Sequence, residues 1–576
     1  MGTQLKDRAA QIEPKDGLSY VRGTCDTPLS DATIGRLLRE TAERVADRPA
    51  VVFREQGIRW SWGEFDREVD VLAAGLAALG IVRGDRVGIW APNRVEWLMT
   101  QFATARIGAV LVNVNPAYRL SELEYALNKS GCKAIIAAEQ FKTSNYLAML
   151  RELAPELADA TPGELHAARL PALRSVVRMG DTPSAGMFTF AELVESGRAG
   201  LARDALAALE ATLDTHDPIN IQFTSGTTGN PKGATLTHHN VVNNARHIAQ
   251  AMRFTERDSL CIPVPLYHCF GMVLAVLACV STGATMVFPG EAFDPAATLA
   301  AVSDERCTAL HGVPTMFIAE LDLPDFDRYD LRSLRTGIMA GSPCPIETMK
   351  RVVSRMHMSE VTIAYGMTET SPVSFQSSTS DPLEKRTTTV GRIQPHLEAR
   401  VVDAMGQTLP VGETGELWTR GYSVMRGYWD DDARTREAIV DGWMRTGDLA
   451  TIDAQGYCNI VGRLKDMLIR GGENIYPREI EEFLFRHPKI QTVQVFGVPD
   501  AKYGEEVCAW IVLRAGEQMT EEEVREYCRG QIAHYKVPRY VRFVDQMPMT
   551  VTGKVQKFVM RERMIDELGI DALPTA

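Results

Sequence analysis

Two hydrophobic periods interchange along the first part of the chain. Residues 48–53, 86–90, 109–114 and 133–138 are short apolar or β-branched runs of strand length. Between them, residues 62–79, 95–104 and 121–130 repeat apolar positions at helical spacing. This interchange predicts βαβ units and a mainly parallel sheet with helices on both faces. Helical spacing returns at residues 240–254 and 295–304. The most apolar stretch, residues 272–280, is too short to span a bilayer and reads as a buried helix.

The pattern restarts after the polar segment Gly462, Arg463, Leu464, Lys465, Asp466. Residues 477–486 have helix character, and 492–498, 507–513 and 540–544 have strand character. Thr520 followed three positions later by Glu523 matches a capping box, opening a helix with Val524, Tyr527, Cys528 and Ile532 on one face. The expected fold is therefore α/β: a large N-terminal domain of mixed sheets with flanking helices (1–465), then a small α+β domain (466–576).

Composition narrows the function classes. The 576 residues carry 62 basic and 74 acidic side chains, a net charge of -12, which gives no long-range attraction to a nucleic-acid backbone. Hydrophobic residues at 45% and charged residues at 24% are ordinary globular usage. The 10 cysteines form no C-x-x-C pair, so a reducing compartment and a cytoplasmic location are expected, with no structural zinc or disulfide framework. No secretory signal, myristoylation pattern or transmembrane segment is expected.

One segment carries phosphate chemistry. Thr224, Ser225, Gly226, Thr227, Thr228, Gly229, Asn230, Pro231, Lys232 and Gly233 follow the strand-like residues 219–223. Small hydroxyl residues and glycines leave backbone N–H groups open to a phosphate, and Lys232 adds a charge. The spacing is not that of a Walker loop. Counted from Gly226, Pro231 stands where the second glycine belongs and Gly233 where Ser or Thr belongs.

This loop resembles the signature of the adenylate-forming superfamily of acyl-CoA synthetases, coumarate ligases, luciferases and peptide-synthetase adenylation domains. Further matching stations follow in order: Tyr365–Glu369 (YGMTE), Thr446-Gly447-Asp448, Gly462–Asp466 (GRLKD), Gly471–Pro477 (GGENIYP) and Thr552-Gly553-Lys554. The region around Asn113–Tyr118 and Gln140–Thr143 further resembles medium-chain synthetases of the family-member-two type.

The resemblance implies a ligase that joins a small-molecule carboxylic acid to CoA at the expense of ATP, through an acyl-adenylate, with Mg²⁺ as cofactor. It implies Glu369 as metal ligand and Tyr365, with Gly341, Ser342 and Pro343, as the adenine site. Asp448 is implied for the ribose, Arg463 as a nucleotide contact, and Lys232 and Lys554 for the phosphates, Lys554 being catalytic. His268 is implied as a gate between acyl and CoA channels; the bland reading is a packed histidine. Asp466 is implied as a hinge of a mobile small domain, and Gly471 and Gly472 as its second, CoA-facing loop. A homo-oligomer is compatible with the family.

Residues 265–290 contain no Asp or Glu, so an amino-acid substrate is disfavoured and an uncharged, mainly aliphatic tail is expected. An aryl-acid ligase is the nearest alternative, and a non-catalytic nucleotide- or acyl-binding protein a minor one.

Overall fold

A computed structural model of the protein describes residues 12–570, apart from 201, 225–230, 343, 472, 501, 551 and 552. Three large sheets and a two-stranded ribbon, Gln140–Phe141 with Ser144–Asn145, build the large N-terminal part. The first has eight strands in the order Phe188–Thr189, Ser175–Arg178, Ala134–Ala137, Arg86–Trp90, Val110–Asn113, Pro218–Thr224, Lys232–Thr237, Gly427–Tyr428. It is parallel through Pro218–Thr224 and antiparallel beyond it. The second has nine strands, six of them a continuous parallel run from Glu360–Gly366 through Thr336–Ala340, Ala309–Gly312, Ser259–Cys261 and Thr285–Phe288 to Pro49–Phe53.

Side chains on neighbouring positions of a strand point to opposite faces, and here both faces are covered. Val51, Leu260, Met286, Ala309 and Ile338 enter one core. Their successors Val52, Cys261, Val287, Leu310 and Met339 enter the other. This two-sided burial explains why the strands read as continuous apolar runs. The mainly parallel expectation holds for both sheets except at one edge of the first and both edges of the second.

The third sheet went unforeseen. Tyr20–Arg22, Leu397–Val402, Gly415–Gly421, Trp443–Ile452 and Ile439–Val440 pair antiparallel, with Cys458–Arg463 added to Trp443–Ile452. Leu397, Ala399 and Val401 point inward on the second core, with half-exposed residues between them.

Local signals set the helix ends. Ser61 and Glu64 form a reciprocal capping box at the start of Trp62–Ala78. Thr520 and Glu523 do the same for Glu521–Cys528, as the sequence pattern requires. The apolar stretch at residues 272–280 is buried but is not a plain α-helix. Phe270–Leu277 is a π-helix that passes into the α-helix Ala278–Thr282. The wide turn presents the Leu274 carbonyl to His311 Nε2 at 3.3 Å, while His311 Nδ1 accepts from the Ile338 N–H at 3.2 Å. One buried imidazole thus ties the π-helix to the second sheet.

The small C-terminal part is a five-stranded sheet formed by Leu468–Arg470, Glu473–Ile475, Ile490–Asp500, Gly504–Leu513 and Tyr540–Phe543. Its helices are Pro477–Leu484, Glu521–Cys528 and Lys557–Leu568, the last of which hydrophobic spacing did not reveal.

His238, His247 and His311 are all buried, and burial pushes their pKa down to about 3, about 4 and about 4 respectively. In the unfolded chain they protonate near the ordinary ~6.5. Below that pH the unfolded state binds protons that the folded state refuses. Stability should therefore fall between pH ~6.5 and ~4, with each histidine contributing on the order of 1 kcal/mol per pH unit. A melting temperature that drops steeply from pH 7 to 5, less steeply in His311→Gln, is the expected result.

Candidate active site

The parallel strands Thr336–Ala340 and Glu360–Gly366 run side by side, with Ala340 in register with Ala364. Ligands of open α/β sheets bind beyond such carboxyl ends. After Ala340 the chain turns at Gly341, whose φ of 92° suits glycine. Space would also restrict a side chain there, since an added Cβ would lie 3.1 Å from Val313 Cγ1 and 3.9 Å from Lys554 Cε. Ser342 follows, half-buried; Pro343 lies outside the described residues. Tyr365 comes from the end of Glu360–Gly366, and Glu369 from the 3-10 turn Thr368–Thr370 just beyond.

The third sheet supplies Asp448 and Arg463, paired across two antiparallel strands. The Tyr365 hydroxyl donates to Asp448 Oδ2 at 2.6 Å, and Arg463 Nε lies 3.3 Å from Oδ1. Asp448 is buried, and burial raises its pKa despite the guanidinium. Burial prevails because the Arg463 side chain is 63% exposed and its charge is screened by water. Burial and Asp448 together push the Tyr365 phenol well up, so it remains a donor.

Lys232 opens the strand Lys232–Thr237 and stands opposite Thr224. The phosphate-type loop therefore closes an antiparallel hairpin instead of leading into a helix. Ser225, Gly226, Thr227, Thr228, Gly229 and Asn230 lie outside the described residues; Pro231 is half-buried at the hairpin base. Lys232 Nζ sits 5.0 Å from the centre of the Tyr428 ring. The Tyr428 hydroxyl donates to Glu369 Oε1 at 2.9 Å. Sequence reasoning missed Tyr428. It stands on a two-residue strand too short to show a period, and a buried aromatic reads as core.

The Lys554 loop of the small domain reaches this region. A hairpin bridge joins Met549 and Val555, Lys554 N–H donates to Thr550 Oγ1 at 3.1 Å, and Gly553 turns with φ 76°. Burial lowers the Lys554 pKa below the usual lysine range. Cys269, Glu369 and Asp448 oppose that shift, and Arg463 adds to it. His268 belongs to the same neighbourhood. Burial first, then the Lys554 charge, push its pKa down to about 3, so the ring is neutral. His268 Nδ1 accepts from the Phe270 N–H at 3.1 Å, capping the π-helix.

Not every anticipated residue joins this group. Gly471 has φ 60° and its N–H donates to the Tyr503 carbonyl at 2.8 Å, within the small domain. Gly472 lies outside the described residues. Asp466 sits in the turn after Arg463, its N–H donating to the Arg463 carbonyl at 3.1 Å.

A buried carboxylate, a phenol–carboxylate–guanidinium triad and a half-buried lysine, facing the carboxyl ends of parallel strands, suit a nucleotide and its phosphates. Comparison with known proteins decides the family. The model of the AMP-binding enzyme matches residues 38–429, and that of its C-terminal domain matches residues 479–554. The chain belongs to the AMP-binding enzyme family.

This AMP-binding enzyme is 49% identical over 556 residues to the medium-chain acyl-CoA ligase ACSF2, mitochondrial, of Danio rerio, covering 96% of this chain and 91% of that one. The solved anthranilate CoA ligase AuaEII, in complex with anthranoyl-AMP, superposes with a TM-score of 0.83 at 25% identity, covering 95% of this chain and 99% of its own. ATP-bound MatB from Rhodopseudomonas palustris gives 0.78 at 31%, covering 93% and 100%. The similarity runs over both the large and the small part of the chain. Among the described residues, no helix is long and apolar enough to cross a membrane.

Gly553 of the small part lies close against Val313 and Thr315 of the large part. An added Cβ would meet Val313 Cγ2 at 2.9 Å and Thr315 Oγ1 at 3.2 Å, at a φ that L side chains rarely adopt. Gly553→Ala should therefore lift the Lys554 loop from the large domain. The expected readout is faster amide hydrogen exchange at residues 313–316 and 553–555, with the rest of the chain unchanged.

Proposed function

We propose that the protein is an ATP-dependent, AMP-forming acid–thiol ligase that converts a medium-chain fatty acid to its acyl-CoA through an acyl-adenylate. The observation that carries this reading is the meeting of Glu369, the Tyr365–Asp448–Arg463 triad and Lys554 at one place, within a family of AMP-binding enzymes.

The residues take these roles. Tyr365 and the Gly341–Ser342 turn face adenine. Asp448 accepts the ribose hydroxyls, for which a carboxylate has lone pairs to spare, and Arg463 stays beside it. Lys232 and the loop before it hold the distal phosphates. The acid's carboxylate oxygen attacks the α-phosphorus, the bond to the bridging oxygen breaks, and pyrophosphate leaves. Lys554 offsets the charge that builds on the attacking and α-phosphate oxygens. The thiol of CoA then attacks the acyl carbon, losing its proton, and AMP departs.

Glu369 fits the implied magnesium ion. It is a single buried carboxylate, and among the described residues no cluster of three or more His, Cys, Asp or Glu could hold a metal alone. That suits an ion shared between one carboxylate and triphosphate oxygens. When bound, the ion neutralises triphosphate charge.

The tail of the acid is assigned to the apolar side of the His268 neighbourhood. The π-helix Phe270–Leu277 is buried throughout and begins two residues after His268. The absence of acidic residues across 265–290 and the printed name of the Danio rerio relative favour an uncharged aliphatic chain of medium length. Pyrophosphate release in the presence of CoA, measured across linear acids, benzoates and amino acids, should be fastest with octanoate-like acids. Preference for benzoates would instead fit the likeness to the anthranilate ligase and would overturn the aliphatic assignment.

We place the domain boundary at 465/466 and the hinge at Asp466. The Lys554 and Gly471 loops then take turns at the site, the small domain rotating between adenylation and thioester formation. Two variants should fail in opposite half-reactions. Lys554→Ala should lose adenylate formation by orders of magnitude while still making thioester from supplied acyl-AMP. Asp466→Pro, with φ fixed near roughly -65°, should form acyl-AMP but release little acyl-CoA. Single-turnover assays of both steps decide; equal loss in both steps by either variant would remove that residue from its role.

A further inference from the structure

Tyr428 stands between Glu369, assigned to the metal, and Lys232, assigned to the phosphates, and nothing above gives it a task. It lies on the edge strand Gly427–Tyr428, whose register with Ala234 is set by the antiparallel pairing to Lys232–Thr237. Its backbone is held on both sides. Arg426 N–H donates to the Thr235 carbonyl at 3.0 Å, and Trp429 N–H to the Gly233 carbonyl at 2.7 Å. Tyr428 N–H donates to Thr435 Oγ1 at 2.9 Å. Gly427, with φ 153°, lets the strand pass Thr435, whose Cγ2 would be 2.9 Å from an added Cβ. The ring therefore has little freedom. Its hydroxyl meets Glu369 Oε1 at 2.9 Å and its face meets Lys232 Nζ at 5.0 Å. Glu369 is further anchored through its backbone, the carbonyl accepting from Met425 N–H at 2.8 Å.

We propose that Tyr428 is a positioning residue for adenylation: its hydroxyl fixes the Glu369 carboxylate through Oε1, leaving Oε2 for the metal, while its ring face holds the Lys232 ammonium ready for the phosphates. Among the described residues no hydrogen bond falls on Oε2, which leaves that oxygen available. A carboxylate left to rotate must be ordered when the ion binds, and a hydrogen bond made beforehand removes that cost. The cation–ring contact keeps Lys232 close to Glu369 without an ion pair that would have to be broken before phosphate could bind.

This rests on the ligase reading, and the experiment separates the two. Tyr428→Phe keeps the ring and removes only the hydroxyl. Its requirement for Mg²⁺, read as the concentration giving half-maximal ATP–pyrophosphate exchange with octanoate, should rise roughly three- to tenfold, as for loss of one hydrogen bond of ordinary net strength. The rate at saturating Mg²⁺ should fall much less. In melting experiments, the stabilisation by Mg·ATP should shrink while that by AMP without metal stays at the wild-type value. Tyr428→Leu, which also removes the ring, should lose more of the Mg·ATP stabilisation than Tyr428→Phe. An unchanged Mg²⁺ requirement in Tyr428→Phe overturns the proposal. So does a matching loss of the AMP response, which would mark general collapse of the site. Absence of exchange in the wild-type protein with every acid would overturn the adenylation reading itself.

Discussion

The Asp448 carboxylate is the point on which the site is built. It draws a phenol from the end of the second sheet and a guanidinium from the neighbouring strand of the third. It also contributes to the electrostatic surroundings of Lys554 from the small domain. A buried carboxylate is costly without such partners, so its placement constrains three chain segments together. The pairing of Trp443–Ile452 with Cys458–Arg463 carries a register irregularity between Leu449 and Ala450, immediately after Asp448. Irregularities of this kind re-aim side chains next to functional sites. Here the unpaired extra residue is Val461, on the Cys458–Arg463 strand, so the irregularity sets how Arg463 is aimed relative to Ile460 and Cys458.

The electrostatics follow from that constraint. The chain is acidic overall, yet Lys232, Arg463 and Lys554 gather where a polyphosphate would lie. Lys554 is buried enough that its proton is held less tightly than in water, with Arg463 adding to the effect. A bound anion would reverse that balance, because a negative group at short range favours the charged lysine. Beside these charges, Tyr428 holds the Glu369 carboxylate through its hydroxyl, and His268 accepts from the Phe270 backbone N–H.

Much of this was legible in the sequence, for identifiable reasons. Strands buried on both faces show as apolar runs, and capping boxes such as Ser61–Glu64 and Thr520–Glu523 are local chemistry. Motif residues Tyr365, Glu369, Asp448, Arg463 and Lys554 lie far apart in the chain yet share one neighbourhood. What stayed hidden depends on tertiary partners. The π-helix Phe270–Leu277 is apolar all round, so its turn width cannot be read from a pattern. The third sheet has short strands that fold onto a core only once the second sheet exists. Tyr428 takes its meaning from Glu369 and Lys232, residues distant in sequence.

The hinge proposal draws support from how the two parts of the chain are joined. Among the described residues, each hydrophobic cluster lies wholly before residue 461 or wholly after 467. The contacts across the divide are mainly polar: Gln491 Nε2 to Asp322 Oδ2 at 3.2 Å, Arg514 to the same oxygen at 3.7 Å, and Arg478 to the Ile460 carbonyl. The Arg514–Asp322 ion pair, half-exposed, is worth at most about 1 kcal/mol. Separating these contacts exposes little apolar surface, unlike opening either core. At the junction, Asp466 N–H and Met467 N–H both donate to the Arg463 carbonyl at 3.1 Å. A change of φ and ψ at Asp466 would have to release the Met467 bond, while Arg463 could stay paired with Asp448 on the large domain. A rotation there would release the Met467 hydrogen bond, a few polar contacts and the Gly553–Val313 contact, and would carry Lys554 away while Tyr365, Asp448 and Arg463 stay together.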